Sequence, residues 1–109
     1  MYSPKVRNEQ TDMLVRAVLS LHDEEEAYRF IEDLCTIPEI KSISQRLMVA
    51  FQLRRKETYQ KIEELTGASS ATISRVNRAL IYGADGYNRV LDTLEKESET
   101  AGDKRTICD

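Results

Sequence analysis

The stretch TYQKIEELTGASSATISRV, residues 58–76, decides the fold because two short apolar-periodic segments meet there at a single glycine, Gly67. Apolar residues recur at three- and four-residue steps on both sides of it, which is the spacing of amphipathic helices. Two short helices joined by a tight turn with glycine form a helix-turn-helix. The residues that we expect to face inward are Ile62, Leu65, Ile73, Val76 and Leu80.

Small residues, most with hydroxyl groups, open the second helix of this hairpin. They let a helix approach the major groove of DNA closely, and their hydroxyls can bond bases or phosphates. The unpaired N–H groups of the helix start add a phosphate site, and Arg75 and Arg78 follow where phosphates would be neutralised. A helical hairpin with no role in DNA binding has the same turn, so that alternative stays open. The small residues are Ser69, Ser70, Ala71, Thr72 and Ser74.

Helical periodicity covers most of the remaining chain, and no segment alternates as a strand would. We therefore predict an all-α fold of about six helices. Asp23 is expected to cap the second helix, with Glu26 reaching back as its capping-box partner. Pro38 disfavours a helical conformation at Ile37 but fits the first turn of the next helix. The predicted helices span about 11–21, 23–34, 38–55, 58–66, 69–80 and 86–97, with Ser69 capping the fifth and Gly83 ending it.

The length of 109 residues fits one domain, with a hydrophobic content of 40% and a charged content of 32%. We expect an N-terminal extension over 1–10, the helical domain over 11–97 with the helix-turn-helix at about 58–82, and a polar, disordered tail over 98–109. A chain this short leaves apolar helix faces exposed unless a second copy covers them, so we predict a homodimer. The faces concerned carry Leu14, Val18, Leu21, Tyr28, Ile31, Leu34, Ile40, Ile43, Leu47, Ala50, Leu53, Val90, Leu91 and Leu94.

The net charge of −3 conceals a basic centre between acidic ends. From Lys41 to Arg89 there are nine basic and four acidic residues, a charge of +5, whereas the flanks hold seven basic and fifteen acidic residues, a charge of −8. A basic centre of this kind can present a positive face to phosphate. The same charges also suit ordinary solvated helix faces.

Several other classes of protein are disfavoured by the sequence. No run approaches the roughly 20 apolar residues of a membrane span, and residues 1–10 lack the features of a signal peptide, so we expect a cytoplasmic protein. Cys35 and Cys108 are far apart in sequence, and Cys35 suits a small buried apolar position. His22 lacks partners at metal-ligand spacing, and the acidic run 23–26 suits a helix start. We expect neither an enzyme nor a cofactor.

The run GASSATISRVNRAL, residues 67–80, closely resembles the turn and recognition helix of the Trp repressor family. The preceding run DLCTIPEIKSISQRLMVAFQLRR, residues 33–55, and the order of six helices resemble the uncharacterised Trp-repressor-related branch. Glu63 stands where a general helix-turn-helix has a small alanine, a departure that Trp repressors share. The resemblance covers about residues 11–97.

The resemblance implies an intertwined homodimer in which the first three helices and the last one interlock. Two recognition helices would then enter successive major grooves of double-stranded DNA, with half-sites about one helical turn apart. By position, the family's DNA-contacting surface falls on Tyr59, Gln60, Ser70, Ala71, Thr72 and Ser74. For Tyr59, a partly buried aromatic at a helix start is the competing interpretation.

The resemblance also implies a pocket for a tryptophan corepressor between the recognition helix and the long central helix, but this sequence departs from it. Arg75 matches an arginine that stacks on the indole, whereas Val76 replaces a glycine and Ala79 a serine. The second ligand arginine matches either Gln45 or Arg46, depending on a one-residue gap. The candidate effector pocket is therefore Arg46, Arg75, Val76 and Ala79, and we expect a different effector or none rather than tryptophan.

Two function classes follow from the sequence. The first is a sequence-specific DNA-binding transcriptional regulator. The second is a helical dimer that keeps the fold but acts through a protein partner, since hydroxyl-rich recognition helices make few strong base contacts and the flanks are acidic. The salt dependence of duplex binding separates the two classes.

Overall fold

The computed structural model describes residues 2–101, and all regular secondary structure in that range is helical. The predicted all-α fold of six helices is confirmed. Most helix ends lie within two residues of the prediction, but the sixth helix runs on past Glu97. The helices are α1 (Glu9–Leu19), α2 (Glu24–Leu34), α3 (Ile37–Arg54), α4 (Tyr59–Thr66), α5 (Ser70–Tyr82) and α6 (Gly86–Ala101).

The starts of α1 and α2 are fixed by side-chain caps. Asn8 accepts a hydrogen bond from the Thr11 backbone N–H (2.9 Å), and the Thr11 hydroxyl accepts one from the Asn8 N–H (2.8 Å). Asp23 caps α2 as predicted, because its carboxylate accepts from the Glu26 N–H at 2.9 Å. The expected return contact from Glu26 to Asp23 was wrong. The Glu26 carboxylate accepts instead from the N–H of His22, one residue earlier, at 2.8 Å.

The start of α3 differs from the prediction, since Ile37 is its first helical residue despite the proline that follows. Reciprocal hydrogen bonds close the first turn: Glu39 accepts from the Thr36 N–H (2.8 Å), and Thr36 Oγ1 accepts from the Glu39 N–H (3.2 Å). The missing N–H of Pro38 is tolerated in a first turn. The backbone hydrogen bond from Thr36, followed by the side-chain bond with the same residue, lowers the pKa of Glu39.

The chain divides into two compact units, Met1–Ile40 and Lys41–Asp109. Neither α1 nor α2, both in the first unit, contains a buried residue. The apolar faces that were predicted for these helices are therefore solvent-exposed in the single chain. The exposed apolar residues of α1 and α2 are Met13, Leu14, Val15, Val18, Leu19, Tyr28, Ile31 and Leu34.

The second unit contains a hydrophobic core contributed by α3 to α6 and by the turn between α4 and α5. Ile62, Ile73 and Val76 are buried as predicted, and Leu80 is half-buried against them. Three residues of the predicted apolar faces in this unit are exposed instead, Ile43 at 49%, Leu65 at 46% and Val90 at 49%. Ile62 is the buried residue of α4, and Ala68 of the following turn also belongs to the core. The buried apolar residues are Val49, Ala50, Phe51, Ile62, Ala68, Ile73, Val76 and Leu91.

Helix α6 continues to Ala101, so the polar tail predicted from residue 98 begins as helix. The rest of that tail, residues 102–109, lies outside the described residues, as does Cys108. Cys35 is half-buried with a free thiol. Among the helices that the structure describes, none combines the length and apolar character needed to cross a membrane.

Candidate nucleic-acid interface

A threonine cap begins helix α4, and a left-handed glycine ends it. Thr58 caps its start, accepting a hydrogen bond from the Lys61 N–H at 3.1 Å. Gly67 ends it with a φ of 76°, a left-handed conformation that glycine adopts without a side-chain clash. The Gly67 N–H donates to the Glu63 carbonyl at 2.9 Å. The predicted glycine turn is therefore present.

Hydrogen bonds from Thr66 and Gln45 hold this turn in place. The Thr66 hydroxyl donates to the Ile62 carbonyl (2.7 Å) and accepts from the Ala68 N–H (3.1 Å). The Gln45 Nε2 atom of α3 donates to the Thr66 carbonyl at 3.2 Å. Ala68 is buried in the core at 3% exposure. The turn is thus attached to the central helix by both apolar and polar contacts.

Ser69 caps the start of α5 as predicted and also contacts a second candidate residue. Its hydroxyl oxygen accepts from the Thr72 N–H at 3.2 Å and lies 3.1 Å from the Thr72 hydroxyl oxygen, to which it donates. This hydrogen bond holds the Thr72 hydroxyl oxygen next to Ser69 at the start of α5. The side chain of Thr72 is half-buried.

Helix α5 separates an apolar inner face from a polar outer face. Ile73 and Val76 are buried at 0% and 2% exposure, on the inner face. Five candidate residues on the same helix are solvent-exposed. We call these five residues the outer face of α5: Ser70, Ala71, Ser74, Arg75 and Arg78.

The two arginines of the outer face differ from Arg54 and Arg89, the arginines of the second unit that form ion pairs within the described residues. Arg54 pairs with Asp92 at 2.5 Å, and Arg89 pairs with Asp85 at 3.2 Å. Within the described residues, Arg75 forms no ion pair, and Arg78 forms none either. Unpaired cations on an exposed helix face remain available to an anionic ligand.

Tyr59 and Gln60 lie in the first turn of α4. Gln60 is exposed, and Tyr59 is 38% exposed. Most of the Tyr59 ring surface is covered at the start of α4, so the interpretation of Tyr59 as a partly buried aromatic stays open beside the DNA-contact interpretation. Both side chains are accessible to a ligand that approaches the start of α4.

The four residues of the candidate effector pocket lie in different surroundings. Ala79 lines an apolar groove of about 470 Å³, whose lining does not include the other three residues. Val76 points into the core, Arg75 lies on the outer face of α5, and Arg46 donates to the Ser42 hydroxyl at 3.0 Å. The residues lining the groove are Leu47, Ala79, Ala84, Gly86, Tyr87 and Val90.

The sequence patterns missed the contacts that connect α6 with α5 and with α3. Asn88 Nδ2 donates to the Leu80 carbonyl at 3.2 Å, and Arg54 reaches across to α6. These partners are separated in the chain by 8 and by 34 or more residues, so no helical periodicity predicts them. Thr66 and Ala68 are different, because a hydroxyl residue beside Gly67 is a local signal for a turn.

Comparison with known proteins agrees with this geometry. The family model described as "Trp repressor protein" matches residues 9–95. The chain belongs to the Trp repressor family. An uncharacterized protein, YerC of Bacillus subtilis (strain 168), is 56% identical over 100 residues, which cover 92% of this chain and 95% of the relative.

Two solved structures resemble this member of the Trp repressor family. A TrpR-like protein from Eubacterium eligens is 56% identical with a TM-score of 0.80, and the match covers 84% of this chain and 94% of that one. A putative Trp repressor from Staphylococcus aureus is 48% identical with a TM-score of 0.79, covering 84% of this chain and 91% of that one. The family model and both structures support a helix-turn-helix of the Trp repressor type.

The family is one of regulators rather than enzymes. In the part of the chain that the structure describes, no three His, Cys, Asp or Glu residues cluster closely enough to hold a metal ion. His22 is an exposed residue that contacts Glu26 at 3.4 Å. The contact belongs to the start of α2.

Proposed function

We propose that the protein is a sequence-specific DNA-binding transcriptional regulator that inserts α5 into the major groove as a homodimer. The observation that carries this proposal is the outer face of α5, where small polar residues and two unpaired arginines lie opposite a buried apolar face. Membership of the Trp repressor family supports it. A DNA regulator acts where the chromosome is, so we also propose a cytoplasmic location.

The residues of this surface divide into base-reading and phosphate-binding roles. Small side chains at the start of α5 allow close approach, and the hydroxyls of Ser70, Thr72 and Ser74 can bond base edges. Arg75 and Arg78 lie farther along the helix, where neutralisation of phosphates raises affinity for every sequence. Tyr59 and Gln60, at the start of α4, would contact the backbone and fix the register.

Dimerisation is supported by apolar surface that the single chain leaves uncovered. Val18 of α1 is 51% exposed, Tyr28 of α2 is 60% exposed, and Val90 of α6 is 49% exposed. The apolar groove beside Ala79 adds to this surface. Burial of these faces against a second copy would remove large apolar areas from water. Two outer faces would then meet successive major grooves.

The proposed dimer predicts that Val18→Glu shifts the protein toward monomer, because the substitution places a charge on an apolar contact face. Sedimentation of the full chain at micromolar concentration measures this directly. Arg16→Glu is the matched control, since it introduces the same side chain at an exposed polar position of the same helix. A parent protein that sediments as a compact folded monomer would contradict the proposal.

A second candidate function is a helical dimer that acts through a protein partner. The observation that favours it is the acidic start of α2, where Glu24, Glu25 and Glu26 precede an exposed apolar face. This alternative predicts no salt-dependent binding to duplex DNA. DNA regulation predicts affinity that falls steeply as salt rises, with acidic flanks suppressing nonspecific affinity.

The two classes of contact predict two different effects of mutation on DNA binding. Thr72→Ala should lower discrimination at one base-pair position by about 1–3 kcal/mol, because a hydroxyl and a methyl group that read a base edge are removed. Arg78→Ala should weaken binding to all sequences similarly and reduce the salt slope by about one unit. A selected-site assay identifies the duplex, and both variants are then titrated across a salt series and a panel of single-base changes.

Thr93→Ala provides the control for loss of a helix-surface threonine, because the Thr93 hydroxyl bonds only its own helix, at the Arg89 carbonyl. It should bind every duplex as the parent does. The base-reading role fails if Thr72→Ala changes only the melting temperature and the Ser70→Ala and Ser74→Ala variants behave the same way.

We predict that tryptophan leaves the thermal stability of the protein unchanged. Val76 stands where the family resemblance expects a glycine next to the indole, and its side chain belongs to the packed core at 2% exposure. A ligand that binds only the folded state raises the melting temperature in proportion to its occupancy. A saturable rise at submillimolar tryptophan would show that the pocket is functional, with tyrosine as the control ligand.

A further inference from the structure

Two side-chain amides from neighbouring helices donate hydrogen bonds to the backbone of the helix-turn-helix. Gln45 Nε2 of α3 bonds the Thr66 carbonyl at the turn, and Asn88 Nδ2 of α6 bonds the Leu80 carbonyl near the end of α5, each at 3.2 Å. The Gln45 hydrogen bond fixes the turn before α5. The Asn88 hydrogen bond lies at the opposite end of α5, the recognition helix.

The Leu80 carbonyl is a group that an isolated helix leaves without a partner. The last four carbonyls of an α-helix have no N–H from their own helix to accept. In α5 the Gly83 N–H bonds the Ala79 carbonyl at 2.9 Å, and the donor for Leu80 comes from Asn88. The end of α5 is therefore capped in part by a side chain of α6.

Asn88 is itself held by its neighbours. Its Nδ2 also donates to Asp85 Oδ1 at 3.1 Å, which orients the amide. Its backbone carbonyl accepts from Arg54 Nη1 at 2.9 Å. The side chain is half-buried, between the start of α6 and the end of α5. Because the Asn88 amide is restrained in this way, the position of α6 limits where the Leu80 carbonyl of α5 can lie.

Arg54, the last residue of α3, completes the connection. Its guanidinium also contacts Asp92 Oδ1 at 2.5 Å and Glu95 Oε1 at 3.7 Å, and its side chain is only 22% exposed. The rigid planar fork of arginine fixes direction better than a flexible ammonium group. Polar contacts therefore run from α3 through Arg54 and Asn88 to Leu80 of α5.

We propose that Asn88 is a positioning residue that sets the angle of α5 against α3 and α6, and thereby the accuracy of base reading. Its effect on DNA rests on the proposed function, whereas the angle itself does not. Leu80 and Ser70 are separated along α5 by roughly 15 Å, so a tilt of about 5° at the end moves Ser70 by about 1 Å. A hydrogen bond tolerates a spread of only about 0.5 Å in length.

Two substitutions at Asn88 separate positioning from helix stability. Asn88→Ala removes the amide and keeps the backbone carbonyl that Arg54 contacts. Asn88→Asp keeps the shape and adds a negative charge in the first turn of α6, but it cannot donate to Leu80 or Asp85 and it repels the Asp85 carboxylate. Thr93→Ala is the control, because it removes a hydrogen bond of α6 that does not reach α5.

The orientation of α5 relative to α3 is measured first, without DNA, by residual dipolar couplings on the full chain. Both Asn88 variants should reorient α5 by about 5° or more, whereas Thr93→Ala should leave the angle as in the parent. With a selected duplex, both should lower the affinity ratio of selected to scrambled DNA about tenfold, while the affinity for scrambled DNA and the salt slope stay at parent values.

Three results would overturn the proposal: an unchanged α5 angle in both Asn88 variants, an unchanged affinity ratio despite a changed angle, or an equal loss in Thr93→Ala. If the parent selects no duplex at all, the proposed DNA function fails, and the angle measurement still decides whether Asn88 positions α5. Measurements are made at a temperature where circular dichroism shows every variant folded, so a mere loss of stability cannot produce the expected pattern.

Discussion

Gly83→Ala is expected to lower the free energy of unfolding by about 2–3 kcal/mol, within the range for overpacked sites. A Cβ atom at this position would lie 2.4 Å from the Ala79 carbonyl oxygen and 3.1 Å from the Ala79 Cα. Both are backbone atoms, so no rotamer change relieves the clash. The same oxygen accepts the Gly83 N–H bond that ends α5, and a shift large enough to admit the methyl group would strain that bond.

Gly86→Ala is the matched control, because a Cβ at Gly86 meets no atom within 4 Å. Gly86 opens α6, so alanine should leave stability unchanged or raise it by up to about 1 kcal/mol through helix propensity. Urea unfolding of both variants, followed by circular dichroism, measures the difference. Equal midpoints for the two variants would contradict this expectation, because they would mean that the backbone at the end of α5 shifts at little cost to admit the methyl group.

Ile73→Ala is expected to cost about 3 kcal/mol of folding free energy, the middle of the range for truncating a buried isoleucine. Ile73 is 0% exposed and lies in the small core of the second unit with Ile62 and Val76. Since a domain of this size has a total stability of only about 5–15 kcal/mol, the melting temperature should fall by roughly 10–20 °C.

Ser74→Ala, at the next position of α5, is the control for the loss of Ile73. Ser74 is exposed, so its change should stay within about 0.5 kcal/mol. Melting curves at several protein concentrations separate the loss of core packing from any effect on association. A fall in melting temperature below about 5 °C for Ile73→Ala would indicate a core that collapses around the missing atoms.

The ends of the helices could be predicted from the sequence wherever a capping side chain or a turn glycine determines them. Thr58 and Ser69 cap their helices because a hydroxyl three residues before an N–H has the right reach. Gly67 adopts the left-handed conformation that the turn requires. The selection of buried residues was less predictable. Leu65 lies on the apolar stripe of α4 by spacing, yet it is 46% exposed, whereas Ala68 of the following turn is buried.

The candidate site was predictable where it lies on one helix and not where it depends on several. The outer face of α5 follows from the 3.6-residue period, since burial of Ile73 and Val76 leaves Ser70 and Ser74 outside. The contact of Asn88 with Leu80 requires the packing of α6 on α5, which no single-helix pattern specifies. The candidate effector pocket was placed by position through the family resemblance, which does not specify the direction of each side chain.

The hydrogen bond between the Ser69 and Thr72 hydroxyls has a consequence for the entropy of binding. A side chain that is free in solution loses rotamer freedom when a ligand fixes it, at up to about 1–2 kcal/mol for the longest side chains. Thr72 is already restrained by the 3.1 Å contact with Ser69 before any ligand arrives. In the proposed DNA complex its ordering has therefore been completed during folding, and contact with a base adds enthalpy with little further entropic loss.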